Sequence, residues 1–193
     1  MEKKQKVGKS SYHMVKNITN EIILLLAGAN IHTRGLAKVL NINHVTIINK
    51  LVTLVEENIV DFKQKGKNKV YYLKKTVESR NCIIMAELYK MNKMLKMYPR
   101  LRKIIEDILK NPKIKLAILF GSYAKGLAHE ESDIDVFVET KSRILKRNLE
   151  NIDSRLSVKI GTFNRSNPLI REIEKNHVII KGIELYYEKT KSF

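Results

Sequence analysis

Asp133 and Asp135 are separated by one isoleucine, and Asp133 stands eleven residues after the serine of a Gly121–Ser122 pair. Around them "SDIDVFVET" alternates strictly: Ile134, Val136 and Val138 share one face of a strand, and Asp133, Asp135 and Phe137 share the other. Period two therefore aims both carboxylates the same way, with their Cα atoms about 7 Å apart. That spacing suits a hard cation, since Mg²⁺ takes oxygen ligands from one or two carboxylates together with phosphates and water. Cations so held activate an attacking oxygen and neutralise a leaving pyrophosphate. The Gly-Ser pair is the complement. Gly121 lets the backbone turn and approach a ligand with no side chain in the way. Ser122 offers its hydroxyl and amide to phosphate oxygens within a concavity of neighbouring amides. Lys125 adds positive charge nearby, and Gly126 frees the loop's exit.

Positioning these groups requires strands on either side of the turn. "KIKLAILF" (Lys113–Phe120) is a buried-strand run bounded by Pro112 and Gly121. "RLSVKIGTF", residues 155–163, is the candidate neighbour of the aspartate strand. Leu156, Val158, Ile160 and Thr162 form one of its faces, and Ser157, Lys159 and Gly161 the other. Neither face carries an acid. Lys159, on the carboxylate side, is placed to pair with Asp135 and stand in for a cation. Glu150 and Asp153 lie in the helical stretch "KSRILKRNLENID" with no evident route to the pair. The remaining "NPLIREIEKNHVIIKGIELYYEK" fits a helix from about Pro168 to Asn176 and a closing strand, with His177 as a structural residue at their junction.

A Gly-Ser pair at one strand's exit and Asp-x-Asp on the next resembles the nucleotidyltransferase superfamily of DNA polymerase β, and within it the compact minimal nucleotidyltransferases. The resemblance implies a domain over residues 100–193, an α/β unit with a mixed sheet. It implies that Gly121 and Ser122, with Lys125, bind a nucleoside triphosphate (ATP first), and that Asp133 and Asp135 are the catalytic Mg²⁺ or Mn²⁺ ligands. Members that catalyse usually carry a third carboxylate on a neighbouring strand, facing the first two. Its absence here removes the natural base and one metal ligand. Minimal nucleotidyltransferases are often halves of toxin–antitoxin pairs, so the resemblance also allows a toxin or other protein partner.

The front half has a different character. Residues 1–113 carry 23 Lys and Arg against 9 Asp and Glu, net +14; residues 114–193 carry 14 against 11, net +3, making the chain's +17. Such an excess points to a polyanion, nucleic acid before an anionic membrane. After a basic tail (1–17), "ITNEIILLLAGA" suits a helix capped by Thr19 or Asn20. A second helix, Thr33 to Leu40, buries Leu36, Ala37 and Leu40, and Asn41 accepts the left-handed conformation of a helix end. Asn43 caps a third helix with an apolar stripe of Ile47, Leu51, Leu54 and Val55, closed by Asn58. "VDFKQKGKNKVYYLKK" is then a hairpin with its tip at Lys65-Gly66-Lys67-Asn68, studded by Lys63, Lys65, Lys67 and Lys69.

Three helices and a basic hairpin over residues 18–78 resemble a winged helix-turn-helix DNA-binding domain. The resemblance implies that the third helix enters the major groove, with His44, Thr46 and Asn49 nearest the bases and the four lysines on phosphate. A protein–protein adaptor is the alternative.

Between the two halves, residues 79–99 form a linker helix. Ile84, Leu88, Met91, Leu95 and Tyr98 follow 4-3-4-3 spacing, with Met85 and Met94 beside them. This seam either packs on the winged helix or pairs two chains as a homodimer. Pro99 breaks the helix, and a second one carries Leu101, Ile104, Ile105, Ile108 and Leu109 on one face.

The expected class is thus α+β with two domains. The longest apolar run, Ile22 to Ala29, is too short to span a bilayer. "MEKKQKVGKSSYH" lacks the apolar core of a signal peptide, and a lone Cys82 excludes an internal disulfide, so a cytoplasmic protein without a membrane partner is expected. Two functions fit these features. One is an enzyme that transfers a nucleoside monophosphate near nucleic acid. The other is a transcriptional regulator whose degenerate transferase domain senses nucleotide or docks a partner.

Overall fold

The structure, a computed structural model, describes residues 17–190; of the basic tail expected over 1–17, only Asn17 falls within it. Helix α1 (Ile18–Gly28) starts one turn earlier than Thr19 or Asn20 would have set it. Asn17 has extended backbone angles, and its side chain accepts from the Asn20 N–H at 3.1 Å, so the later candidates lie inside the first turn. Strand β1 (Ile31–His32) leads into α2 (Thr33–Leu40), which Asn41 ends at φ 52°. Asn43 caps α3 (His44–Glu56) through the Val45 N–H, and Asn58 turns the chain at φ 64° into β2 (Val60–Lys65) and β3 (Asn68–Leu73). The three strands form an antiparallel sheet in the order β1-β3-β2. This is a winged helix, with Ile22, Leu36, Ile47 and Leu51 fully buried beneath the hairpin.

Helix α4 (Val77–Met97) follows, then α5 (Leu101–Lys110) beyond Pro99. The second unit alternates strands and helices: β4 (Ala117–Phe120), α6 (Gly121–Ala124), β5 (Ile134–Glu139), α7 (Arg143–Glu150), β6 (Leu156–Gly161), α8 (Pro168–Lys175), β7 (Val178–Lys181) and α9 (Ile183–Lys189). Its sheet is mixed, in the order β6-β5-β4-β7; β5 and β6 are parallel and the other pairs antiparallel. One face, carrying Ile134, Val136 and Val138, packs on α5 and α7. The other, with Ile118, Phe137 and Ile179, packs on Ile170 and Ile173 of α8 and on Tyr186 and Tyr187 of α9. Among the described residues no helix is long and apolar enough to cross a membrane.

Three further expectations change. The heptad seam is only in part the packed face of α4: Met91, Leu95 and Tyr98 pack against the second unit's core, but the fully buried residues are Ser79, Ile83, Ala86, Glu87 and Met94, while Leu88 and Met85 are 42% and 55% exposed. Apolar spacing misleads because the true stripe contains a small residue and a carboxylate. Ile83 and Ala86 belong to the cluster that joins the winged-helix core to the sheet, so this helix is a shared spine. Glu21 of α1 reinforces it by accepting from Tyr89 Oη at 3.1 Å and Lys93 Nζ at 2.7 Å. On α5, Leu109 lies outside the buried stripe, 44% exposed. Finally, the closing strand stops at Lys181 and α9 replaces its continuation.

Gly182 makes that break. Its φ is +82°, and a Cβ there would run into the Lys115 carbonyl oxygen. Gly182→Ala is expected to lower unfolding free energy by at least about 2 kcal/mol, from left-handed strain plus the backbone clash. Urea denaturation checks this, and an unchanged midpoint would contradict it.

Candidate active site and nucleic-acid interface

The antiparallel pairing of β4 with β5 places Phe120 opposite Asp135, so the Gly-Ser turn leaves β4 directly beside the carboxylate. Gly121 has φ +71°, and Asp135 Oδ2 lies only 2.5 Å from where a Cβ at 121 would sit. Both the conformation and the space demand glycine. Ser122 follows on α6, half-buried. Asp133 is exposed at the mouth and Asp135 half-buried behind it.

The parallel register of β6 sets Ser157 opposite Asp135 and Lys159 two pairs further along, opposite Phe137. Burial raises the Asp135 carboxyl above its ordinary range. The Lys159 charge opposes this, Asp133 adds to it, and a hydrogen bond from Ser157 opposes it again. Lys159 therefore acts on Asp135 from the face where a third acid would stand.

Among the described residues no group of three His, Cys, Asp or Glu is gathered to hold a metal. Glu150 accepts from the Val158 N–H at 3.1 Å and faces Lys146 at 3.6 Å; Asp153 pairs with Arg155. Glu139 accepts from the Phe163 N–H at 2.9 Å and meets Lys189 at 3.0 Å. Asp133 and Asp135 remain, and two carboxylates completed by phosphate oxygens and water are a donor set that fits Mg²⁺ or Mn²⁺. Lys125 is exposed and reaches Glu172 of α8 at 3.5 Å.

Two arginines hold the approach to the pair. Arg100 and Arg155 donate to the Glu130 carbonyl at 2.9 and 2.6 Å, which fixes the loop entering β5. Ser132, buried in that loop, accepts from the His129 N–H at 2.9 Å. These contacts span 30 and 25 residues, and nothing in the local sequence signals them.

Because its folded pKa lies above the unfolded value, Asp135 favours folding at low pH. That contribution is lost as pH rises through the folded pKa, so the ionised group opposes folding at neutral pH. In a chelator at neutral pH, Asp135→Asn is expected to melt no lower than the wild type. A midpoint several degrees lower would contradict the burial argument.

On the winged helix, His44 and Asn49 are exposed and Thr46 is half-buried. The hairpin register divides the four lysines. Lys63 and Lys65 share the outer face, where Lys63 Nζ lies 5.5 Å from the centre of the Tyr72 ring. Lys69 lies on the inner face, 4.0 Å from the centre of the Phe62 ring. With Lys67 at the tip, it lines a groove whose other walls are His32, Arg34, His44, Ile48 and Val52. The cluster expected from the sequence is therefore two pairs on different surfaces.

The model of the family "Polymerase beta, Nucleotidyltransferase" matches residues 102–190. Two proteins of Methanocaldococcus jannaschii, each named a putative protein adenylyltransferase, align with the chain. One is 38% identical over 85 residues, covering 40% of this chain and 89% of its own. The second is 36% identical over 74 residues, covering 35% and 83%. Among solved structures, the adhesin competence repressor of Streptococcus pyogenes matches with a TM-score of 0.38 and 19% identity, over 49% of this chain and 71% of its own.

Proposed function

The chain belongs to the polymerase β nucleotidyltransferase family through residues 102–190, and on that premise we propose that it transfers a nucleoside monophosphate, adenylate first, from a triphosphate to a hydroxyl on a protein, with its winged helix bound to DNA. The observation that carries this reading is the apposition of Gly121 and Asp135, which sets the Gly-Ser turn directly against one carboxylate of the pair. The name of the two M. jannaschii relatives supports adenylate as the group and protein as the acceptor.

At this site Gly121 leaves room for the Asp135 carboxylate, and the Ser122 hydroxyl and nearby amides would hold the phosphate oxygens of the triphosphate. Asp133 and Asp135 would hold Mg²⁺, which when bound neutralises charge on the triphosphate and the departing pyrophosphate. Ser157, opposite Asp135 in the parallel register, is placed to donate to its carboxyl. The acceptor oxygen forms a bond to the α-phosphorus as the bond to the bridging oxygen breaks. Pyrophosphate leaves, and the hydroxyl proton goes to solvent.

A second reading, nucleotide sensing without transfer, is favoured by Lys159, whose charge acts on Asp135 where family members usually carry an acid. Incubation with ATP labelled at the α-phosphate, Mg²⁺, DNA and extract proteins separates the two. The transferase reading expects α-label, and no γ-label, on a protein band together with pyrophosphate release. Nucleotide binding without either product supports sensing and sinks transfer.

A further inference from the structure

We propose that the groove between α3 and the β2–β3 hairpin takes duplex DNA whose contacted base pairs are A·T, read through thymine methyl groups by Val45, Ile48 and Val52. The inference rests on the DNA-binding reading of the winged helix and names the class of DNA. These side chains are 61%, 37% and 50% exposed, and their three- and four-residue spacing makes one stripe. β-Branched residues lower helix propensity, so an exposed row of them does nothing for α3 itself. An apolar stripe left on a surface marks a binding site.

The charge around the stripe names the occupant. Ile48 and Val52 share the groove with Arg34, Lys67 and Lys69, a setting for a polyanion rather than for an apolar helix. Within a major groove, thymine alone offers a methyl group, and guanine is read by forked Arg or Lys donors. Residues 44–57 contain no arginine and one lysine, Lys50, while exposed Asn49 carries the amide that pairs with adenine N6 and N7. Valine and isoleucine hold one preferred χ1 in a helix, so their methyl groups are presented with little entropy to lose.

The test measures binding of the full chain to three duplexes of equal length: A·T-rich, the same with uracil for every thymine, and G·C-rich. Uracil keeps each hydrogen-bonding group and removes only the methyl. The thymine duplex is expected to bind tightest, with uracil costing about fourfold for each contacted methyl and at least about tenfold overall. Val45→Ser with Val52→Ser, both at exposed positions, is expected to reduce the preference for thymine over uracil to the about fourfold that Ile48 alone supplies. Lys67→Ala with Lys69→Ala is expected to weaken all three to the same degree. Equal affinity of the wild type for thymine and uracil duplexes, with binding that still falls steeply with salt, keeps the DNA reading and overturns methyl recognition. Absence of salt-dependent binding to any duplex overturns the DNA reading and this inference with it.

Discussion

Asp133→Ala combined with Asp135→Ala is expected to cut α-phosphate transfer by at least about a thousandfold, because in the proposed mechanism the pair supplies the carboxylate ligands for the charge-neutralising cation. On the strands and helices around the pair, Glu139, Glu150 and Asp153 are each engaged with a cation or a backbone amide elsewhere. The loss must also be separable from unfolding. Asp133 is exposed and Asp135 half-buried beside a mouth, so the double variant leaves no closed cavity and relieves a buried charge. Its melting point should match or exceed that of the wild type. Glu106→Ala, which removes an exposed Lys110 pair on α5, is the matched control and should retain full transfer. Transfer by the double variant at the wild-type rate would mean that the chemistry lies elsewhere.

The second large effect is on stability in acid. His177 lies at the α8–β7 junction with its Nδ1 3.0 Å from the Ile173 carbonyl and its ring 4.7 Å from that of Tyr186. Lys90 of α4 faces it, and Glu87, Glu174, Tyr187 and Arg165 line the same cavity of about 370 Å³ against α1. Burial first, and the Lys90 charge second, lower its pKa from 6.5 to about 3. The unfolded chain thus binds a proton below pH 6.5 that the folded chain refuses until near pH 3, so stability falls with falling pH across that window. By about pH 4 the loss from this one group is about 3 kcal/mol. Carboxylates also titrate there, so the readout is a difference. His177→Gln should lose about 3 kcal/mol less than the wild type between neutral pH and about pH 4. Parallel stability curves for the two proteins would show that His177 is free to take a proton in the fold.

Much of the architecture was legible because local chemistry and tertiary contacts agree. Asn41, Asn43 and Asn58 stop and start helices by their own side chains and left-handed backbones, and the α+β plan with a winged helix and a mixed sheet follows the hydrophobic periods. The alternation of β5 and β6 placed Ser157 and Lys159 on the carboxylate side before any register was known. What the sequence hid depends on partners remote in the chain. The buried stripe of α4 includes Glu87, which is tolerated because Tyr187, one hundred residues away, donates to it at 2.7 Å. Helix α9 reads as a strand because "IELYYEK" is rich in β-formers, and only Gly182 against the Lys115 carbonyl shows the break. The arginine clamp on Glu130 has no local signature. The wing lysines looked like one cluster because spacing by two cannot reveal that a hairpin register sends Lys69 to the opposite face from Lys63.

Binding of a non-hydrolysable ATP analogue with and without Mn²⁺, compared between wild type and Gly121→Ala, tests most directly whether the turn and the two carboxylates are one site. The substitution removes no ligand group; it only inserts a methyl where Asp135 Oδ2 already sits, at a backbone angle alanine resists. The wild type should bind the analogue in a Mn²⁺-dependent way, and Gly121→Ala should lose at least about tenfold in affinity for metal and nucleotide together. Metal-independent binding of equal strength in both proteins would contradict the account.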